Sequence, residues 1–227
     1  MTAIAKAYNR PQGASFFEIL GTSPHLPAFN AFMKTFNAGR KDWTEFYPVD
    51  ERLIIGSSDD PEAPLMIDVG GGLGHQAIDL SNKFPHLRSR IVVEDLPQSL
   101  PKDRSGRIEF LEHNFFDKQP IKGARLYYLR HVLHDWPQDE CVKILTHLRE
   151  AMTPDYSRLI VHEWIVPKKG VSRLMTAQDL NMMSVGGGME RTEELHRDYI
   201  ERAGLKITGI WHPSDDISES VIEAQVA

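Results

Sequence analysis

Short apolar runs alternate with helical stretches from about residue 65 to the end of the chain, and this order constrains the fold most strongly. The predicted strands are 65–70, 90–95, 107–114, 124–130 and 158–166, and the predicted helices are 75–84, 138–152 and 192–204. Two further runs, 205–213 and 219–226, predict a terminal hairpin. This order indicates an α/β fold with a mostly parallel sheet, helices on both faces and an antiparallel edge.

The first part of the chain lacks this alternation. Apolar residues recur at roughly helical spacing in the segments 16–20 and 26–36. The polar stretch 56–64 predicts a connector. We therefore predict a helical lead-in over residues 1–60 and a ligand-binding domain over residues 61–227.

Composition limits the classes of function. The chain has 227 residues, of which 41% are hydrophobic and 26% charged, with a formal net charge of -6, as is ordinary for a globular protein. We find no basic stripe typical of nucleic-acid binding and no apolar run of about 18 residues that would span a membrane. The N-terminus lacks the apolar core of a signal peptide, and Cys141 is the single cysteine. We therefore expect a cytoplasmic protein that binds neither nucleic acid nor membranes.

A glycine-rich turn follows the first predicted strand, which carries Asp68 near its end. Ligands of parallel α/β sheets bind beyond the carboxyl ends of the strands, so this turn lies where a ligand is expected. Gly70, Gly72 and Gly74 have G-x-G-x-G spacing, whereas a dinucleotide site needs G-x-G-x-x-G for a pyrophosphate. The shorter spacing favours a ligand without phosphate, such as S-adenosylmethionine. A tight turn without a ligand is the alternative.

The next two predicted strands end in further candidate ligand-binding residues. The second ends in Glu94 and Asp95, where a carboxylate can accept hydrogen bonds from both ribose hydroxyls. A solvated strand end is the alternative. The third ends near Asn114, Phe115 and Phe116, which could receive an adenine base or belong to the core.

Chemistry is indicated after the fourth strand, where His134 lies on the expected ligand side. Histidine suits general-base catalysis because its unperturbed pKa lies near neutrality. A structural histidine is the alternative. Taken alone, Glu163 and Glu190 are typical of ordinary surface charges.

Other reaction types fit the sequence less well. His162 and Glu163 do not continue into an H-E-x-x-H zinc site, and no group of cysteines and histidines has metal-ligand spacing. A G-x-S-x-G nucleophile motif is also absent. Residues 186–188 are glycines without the Lys-Ser/Thr of a phosphate loop, which predicts a flexible turn. We therefore expect no bound metal.

Several motifs occur in the order in which one enzyme family has them. They are DVGGGLG (68–74), EDLP (94–97), LHDWPQDECVKIL (133–145), EWIVP (163–167) and GGGMERTEEL (186–195). From about residue 16 to the C-terminus, the chain resembles the catalytic domain of plant and fungal small-molecule O-methyltransferases of the caffeate and flavonoid type. The resemblance implies a Rossmann-like class I methyltransferase fold with a seven-stranded sheet. It also implies S-adenosyl-L-methionine as cofactor and a phenolic or other secondary-metabolite hydroxyl as acceptor.

The resemblance assigns roles to individual residues. His134 matches the catalytic base, and Glu163 and Glu190 match two glutamates that flank and orient it. Met182 matches a methionine that lines the methyl-transfer site. The cofactor-binding positions that it implies are Asp68, Gly70, Gly72, Asp95, Leu96, Asn114, Phe115, Arg130 and Trp136. The family usually has an aspartate at position 114 and a lysine at position 130; an amide can still hydrogen-bond, and an arginine can still pair with the cofactor's carboxylate.

The family also carries an N-terminal helical domain that dimerises and closes over the substrate, whereas a short lead-in precedes the sheet here. We therefore expect an acceptor pocket open on one side, and association with a second copy or with a partner chain that supplies this cover. Two other functions remain as alternatives. One is an enzyme on the same scaffold that catalyses cyclisation, rearrangement or decarboxylation. The other is a non-catalytic subunit that depends on a partner.

Overall fold

The strands and helices follow the alternation in the sequence. The computed structural model describes residues 3–10, 16–36, 39–215 and 217–227, without the side chains of Asn30, Lys34 and Phe36. The strands are β1 Pro64–Val69, β2 Arg90–Asp95, β3 Glu109–Glu112, β4 Leu126–Arg130, β5 Arg158–Glu163, β6 Leu205–Trp211 and β7 Ser220–Val226. The helices are α1 Ala3–Ala7, α2 Phe16–Gly21, α3 Leu26–Phe36, α4 His75–Lys83, α5 Gln138–Ala151, α6 Arg173–Val185 and α7 Glu193–Arg202. Short helical turns lie at Trp43–Glu45, Asp50–Ile54 and Leu133–Asp135.

A seven-stranded sheet joins the described strands in the order β3-β2-β1-β4-β5-β7-β6. The strands β1 to β5 are parallel, and β7 is antiparallel to both β5 and β6. The predicted α/β fold, with a mostly parallel sheet and an antiparallel C-terminal hairpin, is confirmed. The second strand of the hairpin joins the parallel strands, so β6 forms the edge.

Apolar side chains cover both faces of the sheet. On one face, Leu129 packs in a cluster with Leu145 of α5 and Tyr199 of α7. On the other face, Tyr128 packs against Trp43, and their ring centroids lie 5.2 Å apart. Strands buried on both faces explain why their sequences are continuous apolar runs.

The helix α5 positions the segment that precedes it. Its buried residues Cys141, Ile144, Leu145 and Leu148 recur every three or four positions and form one apolar stripe. The thiol of Cys141 also donates a hydrogen bond to the carbonyl oxygen of Leu133, at 3.3 Å. The start of α5 is therefore tied to the turn at Leu133–Asp135.

The lead-in contains the helices α2 and α3, at the two places where helical spacing predicts them. Farther along, Tyr47 and Leu53 are buried in the core. This part of the lead-in is therefore packed on the sheet. In the described part of the chain, no helix is both long enough and apolar enough to cross a membrane.

Candidate active site

A cavity of about 820 Å³ lies at the carboxyl edge of the parallel strands. The turn after β1, the ends of β2 and β4, and the helices α2, α3 and α6 line it. The predicted site residues on its wall are Asp68, Gly70, Gly72, Asp95, Leu96, Asn114, Phe115, Arg130, His134, Trp136 and Met182. Glu163 and Glu190 are buried outside this lining. A volume of this size is typical of sites for small molecules.

The turn after β1 depends on left-handed glycines. Gly70, Gly72 and Gly74 have φ angles of 70°, 56° and 77°, which side chains other than glycine rarely adopt. A Cβ on Gly70 would also lie 2.9 Å from the Cγ2 atom of Val132. The glycines therefore let the backbone curl over the end of β1 and against the loop that follows β4.

Asp95 is held in place by the glycine turn and by its own loop. Its Oδ2 accepts a hydrogen bond from the backbone N–H of Gly72 at 2.9 Å, and its Oδ1 accepts one from Leu96 at 2.6 Å. Burial raises the pKa of Asp95. Burial and the charge of Asp95 raise the pKa of Asp68 to about 7. Two carboxyl groups therefore face the cavity beside the turn.

The neighbouring Glu94 serves a different purpose. It is buried and accepts a hydrogen bond from Nε2 of Gln119 at 2.8 Å. Burial raises its pKa to about 7. Of the two acidic residues that end β2, only Asp95 lies on the cavity wall.

Aromatic rings line another part of the cavity. The ring of Trp136 meets that of Phe116 edge-on at 4.7 Å and that of Phe115 at 5.9 Å. Oδ1 of Asn114 accepts a hydrogen bond from the backbone N–H of Phe116 at 3.1 Å and shapes this turn. The rings of Phe115 and Phe116 pack on the core cluster and also line the cavity, and contact with an adenine base stays a prediction.

His134 is buried at the cavity wall and has a defined hydrogen-bond partner. Its Nδ1 lies 2.9 Å from Oε1 of Glu190. Because a carboxylate can only accept, Nδ1 carries the proton, and Nε2 is the nitrogen that can accept one in the neutral ring. Burial by itself lowers the pKa of His134, but the Asp135 charge, the hydrogen bond to Glu190 and the Glu163 charge outweigh it and raise the pKa to about 9.

Glu163 acts on the backbone of the same segment. Its Oε1 accepts hydrogen bonds from the backbone N–H groups of Leu133 at 2.7 Å and His134 at 3.0 Å. It therefore fixes where the histidine stands, whereas Glu190 fixes how the imidazole ring is turned. The resemblance alone does not distinguish these two tasks.

Arg191 also holds the His134 segment, and sequence reasoning missed it. Its guanidinium donates to the carbonyl oxygen of Leu133 at 2.9 Å, to that of Trp136, and to Oε1 of Gln138 at 3.1 Å. The side chain is almost fully buried. Its position directly after Glu190 in the ERT motif was the available signal.

Gly188 brings the segment before Glu190 close to His134. The backbone N–H of Met189 donates to the carbonyl oxygen of His134 at 2.9 Å. A Cβ on Gly188 would collide with that oxygen and lie 2.9 Å from Cα of Asp135. This close packing differs from the flexible turn that the glycines alone predict, because the partner segment lies far away in sequence.

Nearly the whole chain matches a known family. Residues 2–206 match the O-methyltransferase domain. The chain belongs to the O-methyltransferase domain family. This O-methyltransferase domain is 42% identical over 214 residues to O-methyltransferase asqD of Emericella nidulans, covering 92% of this chain and 54% of that protein. The chain spans about half the length of the curated relatives it matches.

Solved structures share the fold of this O-methyltransferase domain. The crystal structure of OxaC in complex with SAH and oxaline has a TM-score of 0.82 and 30% identity, and covers 100% of this chain and 58% of that chain. A structure described as a pericyclic reaction enzyme has a TM-score of 0.85 and 30% identity, with coverage of 100% and 58%. The fold therefore occurs in a protein described for a different kind of reaction as well.

Three unsatisfied polar atoms of the O-methyltransferase domain fit a cofactor that carries both a positive and a negative group. Asp68 Oδ2, Arg130 Nε and Trp136 Nε1 are buried and have no hydrogen-bond partner among the residues that the structure describes. All three residues line the cavity. An acceptor atom and two donors suit a ligand with an ammonium group, a carboxylate and a base, as S-adenosylmethionine has. Within the described ranges, no group of three or more His, Cys, Asp or Glu side chains could hold a metal ion.

The remaining wall of the cavity is mostly apolar. The helices α2 and α3 contribute Phe17, Phe29 and Met33, and α6 contributes Asn181 and Met182. Two helices of the lead-in therefore line the cavity together with Met182, which the resemblance assigns to the methyl-transfer site.

Proposed function

We propose that this domain transfers a methyl group from S-adenosyl-L-methionine to a hydroxyl of a phenol or another secondary metabolite, with His134 as the general base. The observation that carries the proposal is the buried His134 on the cavity wall, with its Nδ1 bound to Glu190 at 2.9 Å. A cofactor-binding protein without catalytic activity would not need a buried histidine whose ring is oriented by a carboxylate. The OxaC complex with SAH and oxaline, which shares the fold, supports the choice of cofactor and of a small-molecule acceptor.

The residues at the glycine turn would hold the cofactor. Asp95 would accept hydrogen bonds from the ribose hydroxyls, because its two oxygens are already oriented by backbone N–H groups. Arg130 would pair with the carboxylate through its unsatisfied Nε. The rings of Phe115 and Trp136, with Asn114, would receive the adenine. When bound, S-adenosylmethionine supplies a methyl group that the sulfonium has already activated.

His134 would take the proton from the acceptor hydroxyl. A phenol has a pKa near 10, so transfer of its proton to a base with a pKa of about 9 is uphill by roughly 1.4 kcal/mol, against about 5 kcal/mol for an unperturbed histidine. Asp135, Glu190 and Glu163 therefore make the neutral ring of His134 a stronger base toward a phenol. They also keep most of the ring protonated near pH 7, so the advantage is largest as the pH approaches 9. Alignment of the oxygen with the methyl group would contribute further, about 7–11 kcal/mol in favourable cases.

The wall formed by α2, α3 and α6 would receive the acceptor. Its aromatic and apolar side chains, such as Phe29 and Met182, suit an uncharged ring system. The amide of Asn181 adds a polar group that could bind a carbonyl or hydroxyl.

The similarity to a pericyclic reaction enzyme supports one second candidate function. In that case the bound cofactor would act through its charge, and no methyl group would be transferred. The mass of the product separates the two functions, since methylation adds one methyl group and a rearrangement adds nothing.

The partners and the domain organisation remain proposals. We propose the division into a lead-in (1–60) and a cofactor-binding domain (61–227), and association with a second copy or a partner chain that completes the cover of the cavity. The exposed ring of Phe32 on α3 supports such an association. A cytoplasmic location and the absence of nucleic-acid and membrane binding are proposed from the composition alone.

Calorimetric titration with S-adenosylhomocysteine, followed by mass spectrometry with a panel of phenols, tests the proposal. We expect micromolar binding that Asp95→Ala weakens strongly. We expect His134→Gln to lower the rate of methyl transfer by roughly 10²–10⁴-fold while binding is retained. The exposed His86→Gln serves as the matched control and leaves the rate unchanged. Methyl transfer that is equally fast in His134→Gln would refute the role of the base.

A further inference from the structure

A cluster of buried charged side chains lies behind the cavity, and the proposed reaction does not use its central member. That member is Glu219, directly before β7, whose side chain is fully buried. One carboxylate oxygen lies 2.9 Å from Nη2 of Arg130, and the other lies 2.9 Å from Nε2 of His131 and also pairs with Arg40. The side chains of these three partners are less than one-tenth exposed.

The topology of the sheet brings Glu219 to the cavity. Because β7 is antiparallel to β5, the first residue of β7, Ser220, pairs with the last residue of β5, Glu163. Glu219 therefore stands at the carboxyl edge of the parallel strands, next to the end of β4. Arg130 is the last residue of β4, and both it and His131 line the cavity.

The charges in the cluster show that Glu219 is an anion. Burial opposes its ionisation, but the hydrogen bond from His131 and the charge of Arg130 outweigh burial and hold the pKa of Glu219 well below its usual range. Burial lowers the pKa of His131 to about 4, so its ring is neutral near pH 7. Since a carboxylate only accepts, His131 donates from Nε2, which fixes one tautomer.

Glu219 restrains two groups on the cavity wall. It binds Arg130 through Nη2, while the buried Nε of the same guanidinium has no partner in the described part of the chain. It also binds His131, which has a φ of 53° and a ring centroid 5.0 Å from that of His134. A long arginine side chain loses much rotamer freedom when it is ordered, so a fixed guanidinium binds a ligand at lower entropic cost.

We propose that Glu219 is a positioning residue that holds Arg130 and His131 in the geometry needed to bind the cofactor. Arg40 brings the lead-in to the same carboxylate, and the backbone N–H of the next residue, Lys41, donates to Oγ of Ser218 at 2.8 Å. Arg40 and Lys41, which follow the helices α2 and α3, are thereby anchored beside the part of the cavity that would hold the cofactor. The inference rests on the proposed function, because it concerns the same site.

Two variants disturb the hold of Glu219 on its partners in different ways. Glu219→Asp keeps the charge but shortens the reach by one methylene group. The double variant Arg40→Gln/Glu219→Gln removes one cation with the anion, so the net charge of the cluster is unchanged. Calorimetric titration with S-adenosylhomocysteine is expected to show binding weakened by roughly tenfold or more in both, because hydrogen bonds to charged groups are lost.

Glu223 offers a matched control on the same strand. It is also fully buried and binds two arginines, Arg52 and Arg158, and the hydroxyl of Tyr47. None of these partners lines the cavity. Glu223→Gln is therefore expected to lower thermal stability while S-adenosylhomocysteine binds within twofold of the wild type.

A measurement in the absence of cofactor tests independently whether Glu219 fixes the tautomer of His131. Long-range proton–nitrogen NMR correlation near pH 7 is expected to show His131 as the Nε2–H tautomer in the wild type and as a mixture in Arg40→Gln/Glu219→Gln. If the wild type binds no S-adenosylhomocysteine, the proposed cofactor fails, and this spectrum still decides whether Glu219 positions His131.

Several results would overturn the inference. One is wild-type affinity in either folded Glu219 variant. Another is an equal loss of affinity in Glu223→Gln, which would mean that any buried carboxylate on this strand has the same effect. An unchanged His131 tautomer in the double variant would count against it as well. Unfolding of both Glu219 variants would assign Glu219 to the stability of the sheet instead.

Discussion

The segment that carries His134 and the helices that cover the cavity are stabilised in different ways. In the His134 segment, Glu163 binds two backbone N–H groups and Arg191 binds two carbonyl oxygens. The helices α2 and α3 meet through aromatic rings, such as Phe16 and Phe29 with centroids 5.6 Å apart. Phe32 of α3 remains 53% exposed.

The difference follows from what each region does in the proposed reaction. Proton transfer requires atoms placed within fractions of an ångström, and directional hydrogen bonds to buried charges supply that accuracy. A cover for apolar ligands needs area rather than direction, and apolar contacts tolerate changes of shape. In the proposed reaction, chemistry and acceptor choice would therefore be encoded in physically different parts of the molecule.

The largest effect is expected where the His134 segment is packed most tightly. In Gly188→Ala, the new methyl group collides with the backbone of His134 and Asp135, which cannot move aside as a side chain can. We expect a stability loss of about 1–3 kcal/mol, typical of overpacking, and a rate lower by roughly 100-fold because His134 is displaced. Thermal unfolding and initial rates measure the two effects.

Gly170→Ala is the control for this variant. Gly170 has a left-handed φ of 75°, but apart from its two chain neighbours no atom of the described residues lies within 4 Å of the position of its Cβ. The substitution strains the backbone by about 1–2 kcal/mol without touching the site. A rate that falls equally in both variants would mean that general destabilisation, and not the contact with His134, is responsible.

A smaller effect is expected when the negative charge of Glu190, next to the imidazole of His134, is removed. Since His134 must be neutral to act as a base, kcat/KM should rise with pH as the solution approaches its pKa of about 9. Glu190→Gln keeps a hydrogen-bond acceptor but removes a negative charge that stabilises the imidazolium. The pKa then falls, and the rise in kcat/KM should move to lower pH by roughly one unit.

The nearby Glu194→Gln is the control for the pH profile. Glu194 is exposed and pairs with Lys168 at the surface, so the profile should not move. A profile that is the same in the wild type and in Glu190→Gln would show that His134 is not the group that titrates.

The smallest effect on the reaction is expected from substitutions in α2 and α3, the helices that line the proposed acceptor wall. Phe29→Ala removes a ring from the cavity wall but no directional bond. We expect KM for the acceptor to rise a few-fold, with kcat and the affinity for S-adenosylhomocysteine within twofold of the wild type. Leu180→Ala, on the exposed side of α6, should change none of these values. A large fall in kcat for Phe29→Ala would mean that the cover takes part in the chemistry.

The sequence predicted residues on the cavity wall better than the residues that support them. The glycine turn and Asp95 are local features, because strand ends and glycine spacing can be recognised within a few residues. The resemblance assigned Glu163 and Glu190 together to His134, but the sequence could not tell that one binds backbone N–H groups and the other the imidazole. That distinction depends on the direction of each side chain after folding.

The supports that the sequence did not reveal connect distant segments. The bond between Arg191 and Trp136 spans 55 residues, and that between Arg130 and Glu219 spans 89. A single arginine or glutamate near a strand end reads as a solvated charge, which is the commoner case. Burial is what turns such a charge into a support, because a buried charge must be paired.

By itself, the sequence determined the α/β order, the glycine turn and the candidate base, since each depends on residues that are close together in the chain. Only the tertiary structure decided that β7 enters the sheet beside β5, which brings Glu219 to the cavity. It also decided that the lead-in helices line the cavity wall. The physical reason is that hydrophobic burial and pairing of buried charges act between segments whose proximity is set by the packing of the whole sheet.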